Sequence, residues 1–306
     1  MKISGFNNAV ILLDKPAGQT SFDTISQLRR LAGIRKIGHS GTLDKFASGL
    51  LVICTGGATR LTRYFLESDK RYTGIIKLGL ETDTCDITGE AVSEKGFSGI
   101  AEEKIKEAVS GFDGWMKQMP PVYSSLKVGG KRASDRVRAG EEVLLEERDI
   151  RIDRFEITGI NGDTGEVDFD ILCSKGTYIR SIARDLGEKL GTGGCLKALR
   201  RVQSGSFSIE RAADMDGVKR FADSGGDGSF IIEPAEALQG FGVMTVNEIA
   251  AAKVMNGALF SRFDVISHEN RGSKPYMIED EEKNLIAIAE IDIEEWHITY
   301  HSVFKN

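Results

Sequence analysis

Short apolar runs and helically spaced segments follow one another along this 306-residue chain without a strict strand–helix alternation. Continuous apolar runs at 10–13 and 50–54 predict strands covered on both faces, and the alternation over 167–171 predicts a half-buried strand. Helices interspersed irregularly among such strands are typical of a sheet whose consecutive strands run antiparallel. We therefore predict an α+β fold with a mixed, mainly antiparallel sheet, and not a doubly wound parallel one.

Local signals place further elements along the chain. A helix over 21–31 is capped by Thr20 or Ser21 and stopped by Gly33. The paired prolines in 118–123 lack backbone donors and exclude a helix there. Further predicted helices cover 59–66, 101–112, a segment presenting Ile179, Ile182, Ala183, Leu186 and Leu190, and 247–256; further strands cover 72–78, 285–291 and 298–304; and 127–140 and 223–229 are predicted to be a mobile excursion and a loop.

Composition limits the class of protein. The length suits one large domain and a small one, which we place at 1–240 and 241–306, the second rich in strands. No apolar run approaches the roughly 20 residues that span a bilayer, and the run at 9–13 is too short for a signal peptide. We expect a cytoplasmic protein with no membrane contact.

The cysteines and histidines do not form a metal-binding pattern. The four cysteines are far apart in sequence and form no CxxC pair, and only four histidines are present. This spacing argues against a zinc site and against a disulfide framework. We expect an enzyme without a metal or cofactor.

Charge is unevenly distributed in this acidic chain of net charge −6. Basic residues crowd two stretches, 29–71 and 127–138, while acidic residues concentrate at 279–282 and 292–295. Clustered Lys and Arg can contact RNA phosphates even when the overall charge is negative. The alternative is that each cluster is a solvated face.

The chemically informative stretch runs from Gly38 to Asp44 and continues through 47–51. Its glycines let the backbone approach a ligand closely. A carboxylate held in such a loop can act as a covalent nucleophile at an electron-poor carbon. From composition alone, an ordinary turn residue is the preferred interpretation of Asp44, because Asp is a common turn former.

The whole string G-H-x-G-x-L-D-x-x-A-x-G-L-L resembles the catalytic motif of the bacterial tRNA pseudouridine-55 synthases, the TruB family. Further strings resemble that family's motifs in the family's order across most of the first 200 residues. They are Leu13-Asp14-Lys15-Pro16-Ala17-Gly18 with Thr20-Ser21, Asp69-Lys70-Arg71-Tyr72, Pro120 to Lys127, Cys173 to Ser181, and Leu199-Arg200-Arg201.

The resemblance implies a pseudouridine synthase fold and an enzyme that isomerises the uridine at tRNA position 55. Asp44 would attack the flipped-out nucleoside, at C6 of the uracil or at C1′ of the ribose. Arg180 would pair with Asp44 and favour its ionised form. The alternative for Arg180 is a surface helix arginine.

The other site residues follow from the same resemblance. His39 would displace the target base and take its place, and Tyr72 would stack on the uracil and assist removal of the C5 proton. Tyr178 and Leu199 would wall the pocket, and Lys15 would support the site structurally. Without the resemblance, His39 would be a structural histidine and Tyr72 an ordinary strand aromatic.

The resemblance also implies an RNA-clasping insertion at about 120–150 and a PUA-like domain over 241–306. The insertion is basic and rich in glycine, which suits a segment that orders over RNA. Its predicted RNA-binding residues are Lys127, Lys131, Arg132, Arg136 and Arg138. The expected partner is the T-arm of tRNA, bound by a monomer. The acidic C-terminal domain could bind RNA or serve only packing and solubility.

One residue departs from the family pattern. Proline usually follows the catalytic aspartate, but here the residue is Lys45. We expect Lys45 to contact phosphate or solvent. If it competed with Arg180 for Asp44, the family's ion pair would be in doubt.

Two other classes of function compete with this interpretation. A non-catalytic RNA-binding protein could keep the scaffold, although it would have no need of Asp44, Tyr72 and Arg180 together. A hydrolase built on His39 and Ser40 lacks a third group and a workable geometry between neighbours. The glycines at 191–194 lack the GxxxxGK[ST] pattern of a phosphate loop and indicate a helix end.

Overall fold

A ten-stranded mixed sheet forms the centre of the computed structural model, which describes residues 5–97, 100–272 and 275–304. The strands of the described residues are β1 Val10–Lys15, β2 Ile37–His39, β3 Ser48–Thr55, β4 Lys70–Leu78, β5 Leu80–Thr82, β6 Ala91–Glu94, β7 Gly114–Gln118, β8 Lys127–Val128, β9 Lys131–Arg132, β10 Arg148–Asn161, β11 Glu166–Cys173, β12 Gly194–Ser204, β13 Phe207–Ser208, β14 Ile231–Ile232, β15 Gly242–Val246, β16 Val265–Glu269, β17 Pro275–Glu279, β18 Leu285–Asp292 and β19 His297–Val303. The α-helices are α1 Ser21–Ala32, α2 Thr62–Leu66, α3 Glu102–Ser110, α4 Ala133–Arg138, α5 Ile179–Lys189, α6 Met215–Ser224 and α7 Glu248–Met255.

The strand order of the large sheet is β14-β1-β3-β12-β4-β11-β10-β7, with β13 beside β12 and β2 beside β3. Within it, β12 and β3 pair in parallel, and the other pairs are antiparallel. The predicted α+β class with a mixed, mainly antiparallel sheet is thus confirmed. The parallel pair brings Arg201 opposite Gly49, and β12 also pairs Arg201 with Tyr72 of β4.

Sequence signals fix the ends of α1 as predicted. The Thr20 hydroxyl accepts a hydrogen bond from the backbone of Asp23, whose carboxylate accepts one from the backbone of Thr20. This reciprocal capping box satisfies donors that a helix start leaves free. Gly33 ends the helix in the left-handed conformation at φ 64°.

Helix α5 lies against the sheet at very close range. Its apolar side chains join a core with α3 and with strands β4, β10 and β11. Gly187 permits the approach, because a Cβ at that position would overlap the backbone of Gly193 and Gly194. The predicted apolar face of this helix is confirmed, since Ile179, Ile182, Ala183 and Leu186 are buried.

A second sheet with strand order β16-β15-β17-β18-β19 contains the C-terminal strands. It packs on the first sheet through a shared core that contains Met277 and Ile288 together with Leu12 of β1 and Leu50 of β3. The predicted β-rich character of the C-terminal part is confirmed. Its boundary at residue 241, one residue before β15, stays a prediction.

Three predicted segments differ in detail from the structure. The helix over 59–66 divides into a 3-10 helix at Gly56–Leu61 and α2. The predicted loop at 223–229 begins two residues late, because Asp223 and Ser224 belong to α6. The segment 127–140 contains the β8–β9 hairpin and α4, since Gly129 and Gly130 both adopt positive φ at the tight turn.

Replacing Gly187 by alanine should destabilise the fold by about 1–3 kcal/mol, because the added methyl group has no space against the backbone of the next turn. Urea unfolding followed by circular dichroism measures the change. Gly162→Ala is the matched control, since no atom lies within 4 Å of a Cβ there. Equal midpoints for the two variants would contradict this account of the α5 packing.

Candidate active site

A cleft of about 700 Å³ opens beside the loop between β2 and β3. It brings together side chains from β2, β4, β12, α5 and the segments that join them. The predicted site residues that line it are His39, Asp44, Tyr72, Tyr178, Arg180 and Leu199. These positions are far apart in sequence, and the fold assembles them around one space.

The loop that carries Asp44 is held on both sides. The buried hydroxyl of Ser21 donates to the carbonyl of Leu43 at 3.1 Å and accepts from its amide at 2.9 Å. On the other side, the amide of Gly18 donates to the carbonyl of Lys45 at 2.7 Å. The first residue of α1 and the turn before it therefore fix the backbone immediately before and after Asp44.

Lys15 lies beneath this arrangement and does not line the cleft. Its fully buried ammonium donates to the carbonyls of Pro16 and Gln19, at 2.9 and 2.7 Å, and so closes the turn that contains Gly18. Burial lowers the pKa of Lys15 to about 8, and the charge of Asp44 acts in the opposite direction. These contacts fit the supporting role expected for Lys15.

Arg180 lies next to Asp44 at the base of the cleft. Its Nε is 2.9 Å from Oδ2 of Asp44, and its NH2 donates to Oδ1 at 3.3 Å. Arg180 is only 6% exposed although it is in the first turn of α5. The alternative of a surface helix arginine is therefore wrong, because the helix directs this side chain inward to the cleft.

The same guanidinium binds groups from two other segments. NH1 donates to the carbonyl of Thr84 at 3.0 Å and lies 3.5 Å from the buried carboxylate of Asp86. NH2 also donates to the carbonyl of Tyr123 at 3.0 Å. A buried cation needs several acceptors to offset the loss of water, and here they come from separate parts of the chain.

The Asp44 carboxylate is exposed to the cleft yet surrounded by protein. Its side chain is 41% exposed. Burial by the cleft walls raises the pKa of Asp44, the charge of Arg180 opposes this, and the carboxylate of Asp86 adds to the increase. Asp44 therefore has two properties of a nucleophile in a pocket, since it is reachable from the cleft and is held by a fixed cation.

Two tyrosines form walls of the cleft. Tyr72 packs against the core, and burial raises the pKa of its phenol while the charge of Arg201 works against the increase. The backbone of Tyr178 is held by the buried amide of Gln118, which donates to its carbonyl at 3.1 Å and accepts from its amide at 2.9 Å. The Arg148 guanidinium lies 5.7 Å from the Tyr178 ring centre.

His39 is at the rim, at the end of β2. Its Nδ1 accepts a hydrogen bond from the backbone of Gly41 at 3.3 Å. Burial lowers the pKa of His39, which favours the neutral ring. A flat, neutral ring fixed at the mouth of a cleft can stack in place of a displaced base.

The predicted basic residues divide into two groups. Arg132 and Arg138 line the cleft, whereas Lys127, Lys131 and Arg136 lie outside its lining. Arg136 is paired with Glu141 at 2.6 Å, and Arg138 lies 3.7 Å from Asp135. Arg132 is exposed and forms no ion pair within the described ranges.

Lys45 does not disturb the ion pair. Its side chain is exposed, and Asp44 is paired with Arg180. The expectation that Lys45 faces solvent or phosphate agrees with this position. The carbonyl of Lys45 takes part in the loop-fixing bond to Gly18, which any residue can supply.

Four residues that shape the site were given no role in it from the sequence: Asp86, Gln118, Ser124 and Arg201. Asp86 and Gln118 can be recognised as site residues only from their tertiary contacts, with Arg180 and Tyr178. Ser124 is buried in the cleft lining, and its hydroxyl has no hydrogen-bond partner among the described residues. Arg201 could have been suspected, since it stands two residues after Leu199 on a strand and therefore shares its face.

The described residues also bear on metals, thiols and membranes. Within 5–97, 100–272 and 275–304, no cluster of three His, Cys, Asp or Glu side chains is placed to hold a metal ion. The four cysteines are buried, and burial raises the pKa of Cys173 to about 12. Over the same part of the chain, every helix is too short or too polar to cross a bilayer.

Family models match two consecutive parts of the chain. The TruB family pseudouridylate synthase N-terminal domain matches residues 29–179, and the tRNA pseudouridylate synthase B C-terminal domain matches residues 180–239. Both matched parts contribute to the cleft, since Asp44 lies in the first and Arg180 begins the second. The second match ends before the C-terminal sheet.

Curated relatives and solved structures agree with these matches. The tRNA pseudouridine synthase B of Prochlorococcus marinus is 37% identical over 96% of this chain and 94% of its own length. That of Arthrobacter is 45% identical over 68% of this chain and 70% of its own. A structure of an H/ACA RNP bound to a substrate RNA containing 2′-deoxyuridine superimposes with a TM-score of 0.74 at 23% identity, over 99% of this chain and 86% of that one.

The structural match at this low identity supports the fold alone, whereas the sequence matches extend over almost the entire chain. They confirm the family resemblance that the motifs indicated. The chain belongs to the TruB family of pseudouridylate synthases.

Proposed function

We propose that this protein converts the uridine at position 55 of tRNA, in the T-loop, to pseudouridine, with Asp44 as the nucleophile. The observation that carries the proposal is the ion pair of Asp44 with the buried Arg180 in an open cleft walled by aromatic side chains. Relatives that are 37% and 45% identical over the matched regions are named tRNA pseudouridine synthase B.

The reaction begins with removal of the target nucleoside from the stacked T-loop, which costs a few kcal/mol. His39 at the rim inserts its neutral ring where the base leaves. The flipped uridine enters the cleft between Tyr72, Tyr178 and Leu199. Stacking on an aromatic ring contributes about 1–3 kcal/mol per base and so offsets the cost of extrusion.

Covalent chemistry follows in the cleft. The Asp44 carboxylate attacks C1′ of the ribose or C6 of the uracil, and the bond between N1 and C1′ breaks. The uracil turns while held against Tyr72, C5 forms the new bond to C1′, and the bond that Asp44 had formed breaks to return the free carboxylate. N1 gains a proton, and the C5 proton leaves with assistance from Tyr72, so the product is an isomer of the substrate.

Arg180 keeps the nucleophile in its reactive form. Its positive charge favours the ionised carboxylate against the effect of burial, and its fixed position aims the oxygen into the cleft. The pair thus supplies an oriented anion held against a buried cation. Orientation of a reacting group lowers the barrier by removing the entropy cost of bringing it into place.

The T-arm is the proposed binding partner of a monomeric, cytoplasmic enzyme. The segment 120–150 is the proposed RNA clasp, and its hairpin places Arg132 at the cleft. Residues 241–306 form the proposed PUA-like domain beside the catalytic domain over 1–240. Local basic surfaces contact phosphate while the remaining surface keeps the protein acidic.

Asp44→Asn should abolish pseudouridine formation and leave folding and tRNA binding nearly intact, because amide and carboxylate have the same shape. Product is measured by tritium release from 5-tritiated uridine in a tRNA transcript. Asp185→Asn is the matched control, since Asp185 also pairs with an α5 arginine, Arg184, but lies outside the cleft lining. Product formation by Asp44→Asn would refute the assignment, and binding without tritium release by the wild type would indicate a non-catalytic protein.

The single-turnover rate should fall on the acid side at a pH above that expected for an ordinary aspartate, whose pKa is about 3.9. Burial raises the pKa of Asp44, so protonation removes the nucleophile at a higher pH. Arg180→Gln should move this fall to still higher pH, since the opposing charge is lost. Binding by Asp44→Asn over the same pH range controls for changes in the RNA. An acid limb that moves to lower pH in Arg180→Gln would contradict the proposed ion-pair role.

Arg132→Gln should weaken tRNA binding at low salt and reduce the slope of log affinity against log salt by about one. Arg132 is exposed at the cleft without an ion-pair partner among the described residues, so it is free to contact phosphate. Arg136→Gln is the control, since Glu141 already neutralises Arg136. Filter binding over a salt series measures both slopes, and equal slopes would argue against this assignment of the clasp.

A further inference from the structure

Arg201 is a buried cation in the wall of the cleft. It is only 2% exposed, and it is among the largest fully buried side chains of the protein. Strand β12 places it between two neighbours, opposite Gly49 of β3 and opposite Tyr72 of β4. It also lines the same cleft as Asp44.

The guanidinium of Arg201 is held by backbone carbonyls. Its Nε donates to the carbonyl of Leu50 at 2.7 Å, and its NH2 donates to that of Gly41 at 3.2 Å. No carboxylate forms an ion pair with it in the part of the chain that the structure describes. The guanidinium of Arg201 is therefore fixed in orientation by carbonyl groups and not by a carboxylate.

The third guanidinium nitrogen, NH1, is not used by these two carbonyl bonds and is available to a group in the cleft. NH1 stands 3.5 Å from the position that a Cβ of Gly41 would occupy. The glycine leaves this side of the guanidinium uncovered. Tyr72 is the cross-strand neighbour of Arg201 on β4, and the charge of Arg201 opposes the increase that burial causes in the pKa of the Tyr72 phenol.

Other buried cations near this point are occupied elsewhere. Lys15 donates to the carbonyls of Pro16 and Gln19, and Lys70 donates to carbonyls at the end of α2. Arg180 is bound to Asp44 and to carbonyls of two loops. Of these cations, Arg201 is the one whose register position places it opposite Tyr72.

We propose that Arg201 is the positioning residue for Tyr72, holding its hydroxyl at the cleft and stabilising negative charge on the phenol oxygen as Tyr72 takes the C5 proton. The inference rests on the proposed function. In the step concerned, Tyr72 first gives its phenol proton to N1 of the detached uracil, which accounts for the proton that N1 gains. The phenolate oxygen then bonds to the C5 proton and becomes a neutral phenol again. The electron pair of the C5–H bond restores the double bond between C5 and C6.

The physical requirement for such a group is clear from the environment of Tyr72. Burial disfavours a charged phenol oxygen, and a base must carry that charge before it accepts the proton. A fixed guanidinium supplies the stabilisation without rearrangement during the reaction. Attack by Asp44 does not need the charge of Arg201, because Arg180 already pairs with the Asp44 carboxylate.

Arg201→Gln should slow the single-turnover rate by about 10²-fold, the typical contribution of acid–base assistance. It should also increase the isotope effect measured with tRNA carrying deuterium at C5 of uridine, since loss of the C5 proton becomes more limiting. Arg200→Gln is the matched control. It is the adjacent arginine on β12, is paired with Asp14 at 2.6 Å, and should keep the wild-type isotope effect.

Arg201→Lys retains a charge in the strand and should give an intermediate rate and an isotope effect above the wild-type value. This variant carries the test if Arg201→Gln does not fold.

In a Tyr72→Phe background, Arg201→Gln should cause little further loss of rate, because the hydroxyl through which Arg201 acts is absent. A slower Arg201 variant with the wild-type isotope effect, or a full additional loss in the Tyr72→Phe background, would overturn the inference. Failure of the proposed function is recognised separately, by product from Asp44→Asn.

Discussion

The buried guanidinium of Arg180 connects the parts of the site. It is bound to Asp44 of the β2–β3 loop, to Thr84 and Asp86 after β5, and to Tyr123 between β7 and β8. An arginine withdrawn from water in this way is stable only if most of its donors are matched. Each segment that supplies an acceptor is therefore fixed relative to α5. The position of the nucleophile is a consequence of this shared dependence.

Helix α5 can supply that guanidinium only because it lies so close to the sheet. Gly187 allows its backbone to meet the turn at Gly193 and Gly194, and the turn leads directly into β12. Strand β12 in turn carries Leu199 and Arg201 to the opposite wall of the cleft. One α5–β12 unit therefore presents two arginines to one pocket, and the proposed division of labour assigns one to Asp44 and the other to Tyr72.

Local sequence patterns were sufficient for much of this fold. The cap at Thr20, the stop at Gly33 and the apolar face of α5 were predicted from spacing and residue type, because these features depend on neighbours in sequence. The long strands β10 and β12 were not predicted. Their charged residues obscure the alternation, and tertiary pairing decides their structure.

The candidate site was likewise predictable from the sequence only in part. The motifs led to Asp44, His39, Tyr72 and Arg180, and the structure places all four at one cleft. The burial of Arg180 was not foreseen, since an arginine in a helix is usually exposed. Asp86 and Gln118 act through an ion pair and hydrogen bonds to residues that are distant in sequence, and no local sequence pattern predicts such contacts.

The replacement of proline by Lys45 shows how the loop keeps its shape. A proline after Asp44 would restrict the backbone by fixing φ. In this chain, Ser21 binds both backbone groups of Leu43, and Gly18 binds the carbonyl of Lys45. These bonds hold the same short stretch from outside, so the restriction that proline provides is not required for the Asp44 carboxylate to meet Arg180. The lysine side chain is then free to point away from the pair, where a phosphate of bound RNA could meet it.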